Sequence, residues 1–162
     1  MMEDKNHHQR YCNLSVRAYW MLGLNLLLSL IVMYLVMYTM IDGWRDYRNN
    51  INMLYMALAM WAPMGILMIV TMGGMYQDRR MNIVLYVVFA LVTLGSIWAT
   101  RSQALVHDRQ FIASMVPHHS GAILMCREAK LQDPELVKLC RDISNGQRRE
   151  IEQMNAVAAR LR

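Results

Sequence analysis

The fold is decided first by residues 18–41, which read AYWMLGLNLLLSLIVMYLVMYTMI and contain no Asp, Glu, Lys or Arg. Two more uncharged runs follow, over residues 51–76 and 81–100. A helix of about 20 predominantly apolar residues is long enough to cross a bilayer. The sequence therefore predicts an all-α protein with three transmembrane helices over these ranges. Residues 1–17 form a polar lead, the first apolar run is longer than a signal peptide's apolar core, and no small-x-small cleavage site follows it, which favours an uncleaved anchor.

The distribution of Lys and Arg predicts the orientation of the spans. Basic residues are more frequent in cytoplasmic segments, and the side that holds the N-terminus has one more of them than the other. We therefore expect a multi-pass protein of a bacterial inner membrane, with a cytoplasmic N-terminus and residues 101–162 in the periplasm or outside the cell. The side that holds the N-terminus has Lys5, Arg10, Arg17, Arg79 and Arg80. The opposite side has Arg45, Arg48, Arg101 and Arg109.

The polar segment 101–162 has the pattern of a helical hairpin. Asp108 is suited to the start of a helix that runs to about Leu131. Asp133 and Pro134 then favour the N-cap and first turn of a second helix. Two helices joined by a short turn lie antiparallel. We expect a kink or restart before the histidines at Pro117, and Asn145-Gly146 disfavours the second helix and is compatible with a split in two.

The first helix of this hairpin contains MVPHHSGAILM over residues 115–125. At about 100° per residue, its sulfur and imidazole side chains fall on one side of a helix. Thioethers, imidazoles and thiols suit copper(I) better than they suit magnesium or calcium. The sequence therefore predicts a face of soft metal donors, which consists of Met115, His118, His119, Met125 and Cys126 around Ala122.

The second helix of the hairpin presents a matching set of donors. Counting outward from Gln132 brings Gln147 level with the histidines, Glu150 with Met115, Met154 with Phe111, and Cys140 with Met125 and Cys126. These side chains are candidate additional ligands or supports for ligands. Packing alone accounts for single members, and the two cysteines are compatible with either a disulfide or free thiol ligands. Zinc is the competing metal, but Cys-x-x-Cys and His-Glu-x-x-His spacings are missing.

A stripe of methionines marks the second span. Packing is the simpler interpretation, since Met is a flexible gap-filler. The alternative is a ladder of thioethers that carries copper across the bilayer, although transport paths usually include charged residues. The stripe consists of Met53, Met56, Met60, Met64, Met68, Met72 and Met75.

The C-terminal segment resembles a family called domain of unknown function 305 over about residues 108–161. Proteins of this family are exported or membrane-bound, adopt ferritin-like helical bundles and include copper-binding members. The resemblance implies that Met115, His118, His119, Met125 and Met154 are the metal ligands. It is carried by Phe111, Met115, Pro117-His118-His119, Ala122, Met125, Asp133-Pro134-Glu135-Leu136, Ile143, Gln147, Glu150-Ile151 and Met154.

The hairpin is too small to be independently stable, because about 55 residues bury little apolar surface. We expect a second copy of the chain to complete a four-helix bundle. The predicted function is a membrane-anchored copper-binding protein for sequestration, sensing or delivery. The alternatives are a structural or assembly subunit with a dimerisation seam, and a copper carrier that uses the methionine stripe.

Two classes of function are not expected. The net charge of +5 is spread over membrane boundaries and the C-terminal helices, without a nucleic-acid motif. No nucleophile with its base, phosphate loop or nicotinamide-binding pattern is recognisable, so we expect no enzymatic activity.

Overall fold

The computed structural model describes residues 2–161, with side chains from Arg17 onward. No strand occurs among these residues, which confirms the all-α prediction. Two short 3-10 helices, Met37–Met40 and Trp44–Asp46, lie between the first two long helices. The long helices are α1 (Met2–Val36), α2 (Ile51–Thr71), α3 (Arg79–Ser102), α4 (Asp108–Glu128) and α5 (Pro134–Arg160).

Three segments are long and apolar enough to cross a membrane, namely Arg17–Met40, Ile51–Thr71 and Arg79–Ser102. The second is shorter than the predicted range 51–76, because the helix ends before Gly73-Gly74, a pair that disfavours helix. The protein thus has the composition of a three-span membrane protein.

Tight contacts join the three apolar helices. The Trp61 indole donates a hydrogen bond of 2.7 Å to the carbonyl of Leu26, and its ring meets Phe89 edge-on at 5.6 Å. Gly65 makes room for that aromatic ring, since a Cβ there would lie 2.8 Å from two ring atoms of Phe89. The apolar helices therefore pack closely through small and aromatic residues, as membrane helices do.

A second compact unit is built from Leu35–Leu54 and Gln103–Arg162. Its core is formed by α4 and α5, with Ile112, Val116, Ile123 and Ile151 buried between them. Segment 35–54 follows the first span and segment 103–162 follows the third. Crossing by all three apolar segments would place these two segments on the same side of a membrane, which agrees with their packing into one unit.

The two helices of the hairpin are continuous. The helix α4 runs through Pro117 without a restart, and α5 runs through Asn145-Gly146 without a split. The predicted cap of α5 is confirmed, because the Asp133 carboxylate accepts hydrogen bonds from the backbone N–H groups of Glu135 and Leu136 at 2.9 and 3.0 Å. The antiparallel arrangement follows from Arg109, whose guanidinium donates to the carbonyl of Leu161.

Candidate metal centre

One side of α4 packs against α5. Ile112, Val116 and Ile123 contribute to the buried core, Cys126 is bonded to α5, and His119 meets Glu150. At about 100° per residue these five positions span one sector of the helix. His119 and Cys126, which the sequence placed with the other soft donors, therefore turn toward α5.

A second side of α4 packs against segment 35–54. The buried Ser120 hydroxyl donates to the Asp46 carboxylate at 2.6 Å and accepts from the backbone N–H of Asp42 at 2.8 Å. Arg127 forms an ion pair with Asp42. A Cβ at Gly121 would lie 3.0 Å from the carbonyl oxygen of Met40, so glycine permits this approach. Sequence reasoning missed these contacts, although Ser-Gly inside a helix is a signal of close backbone approach.

The remaining side of α4 has no partner in the described residues, and we call it the open face. Phe111 is 51% exposed and Met125 is 61% exposed. His118 is also exposed, and Met115 and Ala122 are partly buried. The structure thus divides the predicted face of soft donors between the contact with α5 and the open face, and metal binding by these residues stays a prediction.

His119 lies in the contact between α4 and α5, close to a carboxylate. Its side chain is 11% exposed, and its Nδ1 lies 3.0 Å from Oε2 of Glu150. That separation suits an ion pair, but the contact lacks hydrogen-bond geometry, and Nδ1 has no other hydrogen-bond partner. Burial lowers the pKa of His119, while Glu150 raises it less and His118 lowers it further. Burial thus favours the neutral form of the ring, which has one nitrogen lone pair for a ligand.

Gln147 and Glu150 reach the seam from α5. The Oε1 atom of Gln147 is buried without a hydrogen-bond partner. The sequence register paired Glu150 with Met115, but the structure brings it to His119, one turn further along α4. Met154 packs against the core cluster of the hairpin, so its thioether lies among apolar side chains.

Cys126 and Cys140 form a disulfide across the hairpin, with their Cα atoms 5.3 Å apart. The prediction that Cys126 and Cys140 lie opposite each other in the hairpin is confirmed. Of the two alternatives that the sequence left open, the structure contains the bonded one. Because both sulfurs are bonded to each other, neither is a thiolate ligand in this state, and the candidate soft donors are thioethers and imidazoles.

Among the described residues, no group of three or more His, Cys, Asp or Glu is arranged to hold a metal ion. Cys12, expected on the cytoplasmic side, has a side chain outside the described part.

The methionine stripe of the second span is not uniform. Met64 and Met68 pack against the buried cluster of the apolar helices. Met56 and Met60 are exposed on α2, and Met72 and Met75 lie beyond its end at Thr71. Met53 is partly buried near the start of that helix. The stripe thus combines packing residues with residues on the outer surface.

Comparisons with known proteins extend beyond the hairpin. The chain is 29% identical over 114 residues to an uncharacterized protein of Acanthamoeba polyphaga mimivirus, which covers 69% of this chain and 73% of that protein. An aligned stretch of this length extends from the C-terminal segment into the apolar helices. No solved structure matches the chain.

A family model matches the part that carries the candidate site. The match covers residues 97–158, which include all of α4 and most of α5. The resemblance predicted from the sequence is confirmed over this segment: residues 97–158 match the family described as Domain of unknown function (DUF305).

Proposed function

We propose that the protein is a membrane-anchored copper-binding protein that sequesters, senses or delivers copper(I). The observation that carries the proposal is the pairing of Met115 and His118, one turn apart on the open face of α4. Side chains three positions apart on a helix are neighbours, with Cβ atoms about 5–6 Å apart. A thioether beside an imidazole selects a soft ion.

The remaining donors fit copper better than they fit zinc. Zinc sites in proteins use three or four Cys, His, Asp or Glu ligands, and the described residues contain no such group. His119 adds a second imidazole near His118, with ring centroids 5.9 Å apart. Its Nδ1, which contacts Glu150, and the buried Oε1 of Gln147 both lack a hydrogen-bond partner, as expected of residues that bind or support a ligand.

The disulfide supports an extracytoplasmic position for the hairpin. Disulfides persist in oxidising compartments and are rare in the cytosol. The Cys126–Cys140 bond therefore agrees with the weak Lys and Arg bias, and both favour a cytoplasmic N-terminus. Copper held by this unit would be outside the cytoplasm, next to the membrane.

The test is copper binding by the full-length protein in detergent, with ascorbate to keep the metal as copper(I). We expect copper to raise the melting temperature, because a ligand that binds only the folded state stabilises it. The double variant Met115→Leu with His118→Ala should lose this shift. The control is Met60→Leu, which removes an exposed thioether from α2 and should retain it. Equal copper binding by the double variant would show that the assignment is wrong.

A second candidate is a structural subunit that uses the open face only for assembly. It is favoured by the regular spacing of Phe111, His118 and Met125, which are seven residues apart. On this alternative, copper leaves the melting temperature unchanged, and leucine at Met115 is neutral because it preserves volume.

A further inference from the structure

The open face of α4 has the spacing of a helix-packing seam. Phe111, Met115, His118, Ala122 and Met125 are separated by four, three, four and three residues. This alternation is the heptad pattern of residues that pack into a neighbouring helix. The seam is about 21 Å long at 1.5 Å per residue, so it can accept a whole helix.

The partner helix does not come from the same unit. α5 contacts one side of α4 through Ile151 and Cys140, and segment 35–54 occupies another through Asp42 and Asp46. Phe111 and Met125 remain more than half exposed with the whole described chain present. The open face therefore has the residue spacing of a helix-packing surface, but no helix among the described residues packs on it.

The charge pattern favours a second copy of this chain as the occupant. The open face contains no Asp, Glu, Lys or Arg, although the chain has 29 such residues. Two copies can therefore meet there without burying a charged residue of the open face itself. The outer surface of α5, in contrast, carries exposed Arg141, Arg148 and Arg149, which would repel their counterparts in a symmetric contact.

Apolar surface continues from the open face onto α5. Leu139 is 53% exposed and lies on the same flank of α5 as Glu150, since eleven residues bring a helix back to nearly the same direction. Glu150 meets α4 at His119, beside the open face. Leu139 therefore adds apolar contact area beside the open face. The hairpin alone is too short to bury much surface.

We propose that a second copy of this chain packs on the open face of α4, and that the two copies share copper between their Met115 and His118 side chains. The shared site rests on the proposed function. One copy offers these two donors within one turn, whereas Met125 lies seven residues, or about 10 Å, from His118. Two copies related by twofold symmetry would together offer two Met115 and two His118 side chains, four donors in all.

The experiment compares three full-length variants with the wild type in detergent, by sedimentation and by copper titration with ascorbate. Ala122→Glu places a charge in the seam and should make the protein monomeric. Ala159→Glu, on an exposed position of α5, is the matched control and should remain dimeric. His118→Gln should remain dimeric but bind copper more weakly by at least about 10- to 100-fold, since losing even a residue that only supports a metal ligand costs that much.

The expected result is a wild-type dimer without metal, half as many copper ions as chains, and loss of copper by Ala122→Glu. Circular dichroism of Ala122→Glu should match the wild type, so that its loss is not due to unfolding. A monomeric wild type overturns the proposal, as does full copper binding by monomeric Ala122→Glu, which would leave the proposed function intact. A dimer that Ala122→Glu disrupts but that binds no copper overturns the shared site and the proposed function, and retains only the docking surface.

Discussion

Individual residues in the His-His-Ser-Gly segment have different tasks. His118 faces outward, His119 faces α5, and Ser120 and Gly121 hold α4 against the segment that follows the first span. A short motif therefore combines candidate ligands with residues that position the helix. The orientation of the histidines depends on the fit of the two small residues, because all four are on one rigid helix.

Replacing Ser120 with Ala should destabilise the second unit by about 1–3 kcal/mol, the cost of leaving buried polar groups unpaired. The change removes the acceptor of the Asp42 N–H and the donor to the Asp46 carboxylate. Chemical unfolding in detergent would measure it. Ser114→Ala is the control, since that hydroxyl bonds only to the carbonyl of Phe111 in its own helix. Equal stability of the two variants would contradict a stabilising role for the Ser120 hydrogen bonds.

At the level of elements, the hairpin is stabilised at its two ends. The disulfide joins α4 and α5 near the turn, and Asp133 caps the start of α5. At the other end, Arg109 of α4 donates to the last carbonyl of the described chain at Leu161. Between these ends the buried core is small, so each terminal contact contributes a large share of the hairpin's stability.

Reducing the Cys126–Cys140 bond should destabilise the hairpin by about 3 kcal/mol, the chain-entropy value for a loop of about 15 residues. We expect faster proteolysis at the exposed turn between α4 and α5 when dithiothreitol is present. The double variant Cys126→Ser with Cys140→Ser should be cleaved quickly with or without the reductant. If dithiothreitol leaves the rate of cleavage of the wild-type protein unchanged, the disulfide does not stabilise the hairpin as predicted.

At the level of the whole molecule, the number of spans fixes which segments share a side. Segment 35–54 follows one apolar span and the hairpin follows three, so crossing by all three spans would place both segments on the side opposite the N-terminus. The packing of those two segments into one unit agrees with this count. The orientation proposed above would expose the disulfide of the same unit to an oxidising compartment, where such bonds persist.

Membrane-impermeant maleimide should label Cys12 only from the cytoplasmic side. Cys12 is the one cysteine outside the disulfide, since the chain has three. A Glu152→Cys variant that also carries Cys12→Ser should be labelled only from the opposite side, because position 152 is exposed on α5. Labelling in the reverse pattern would show the opposite orientation.

The sequence by itself determined the helices, the three apolar spans, the hairpin and the level of Cys126 with Cys140. These features follow from local composition and helical spacing, which the chain carries within each segment. Only the tertiary structure decided that His119 turns to Glu150, that Ser120 and Gly121 contact segment 35–54, and that Met115, His118 and Met125 remain on an open face. The helical spacing of residues in the sequence does not tell which side of α4 packs against α5, which against segment 35–54, and which stays open. Which partner covers each side depends on the packing of segments that are far apart in the chain, and spacing along one helix does not contain that information.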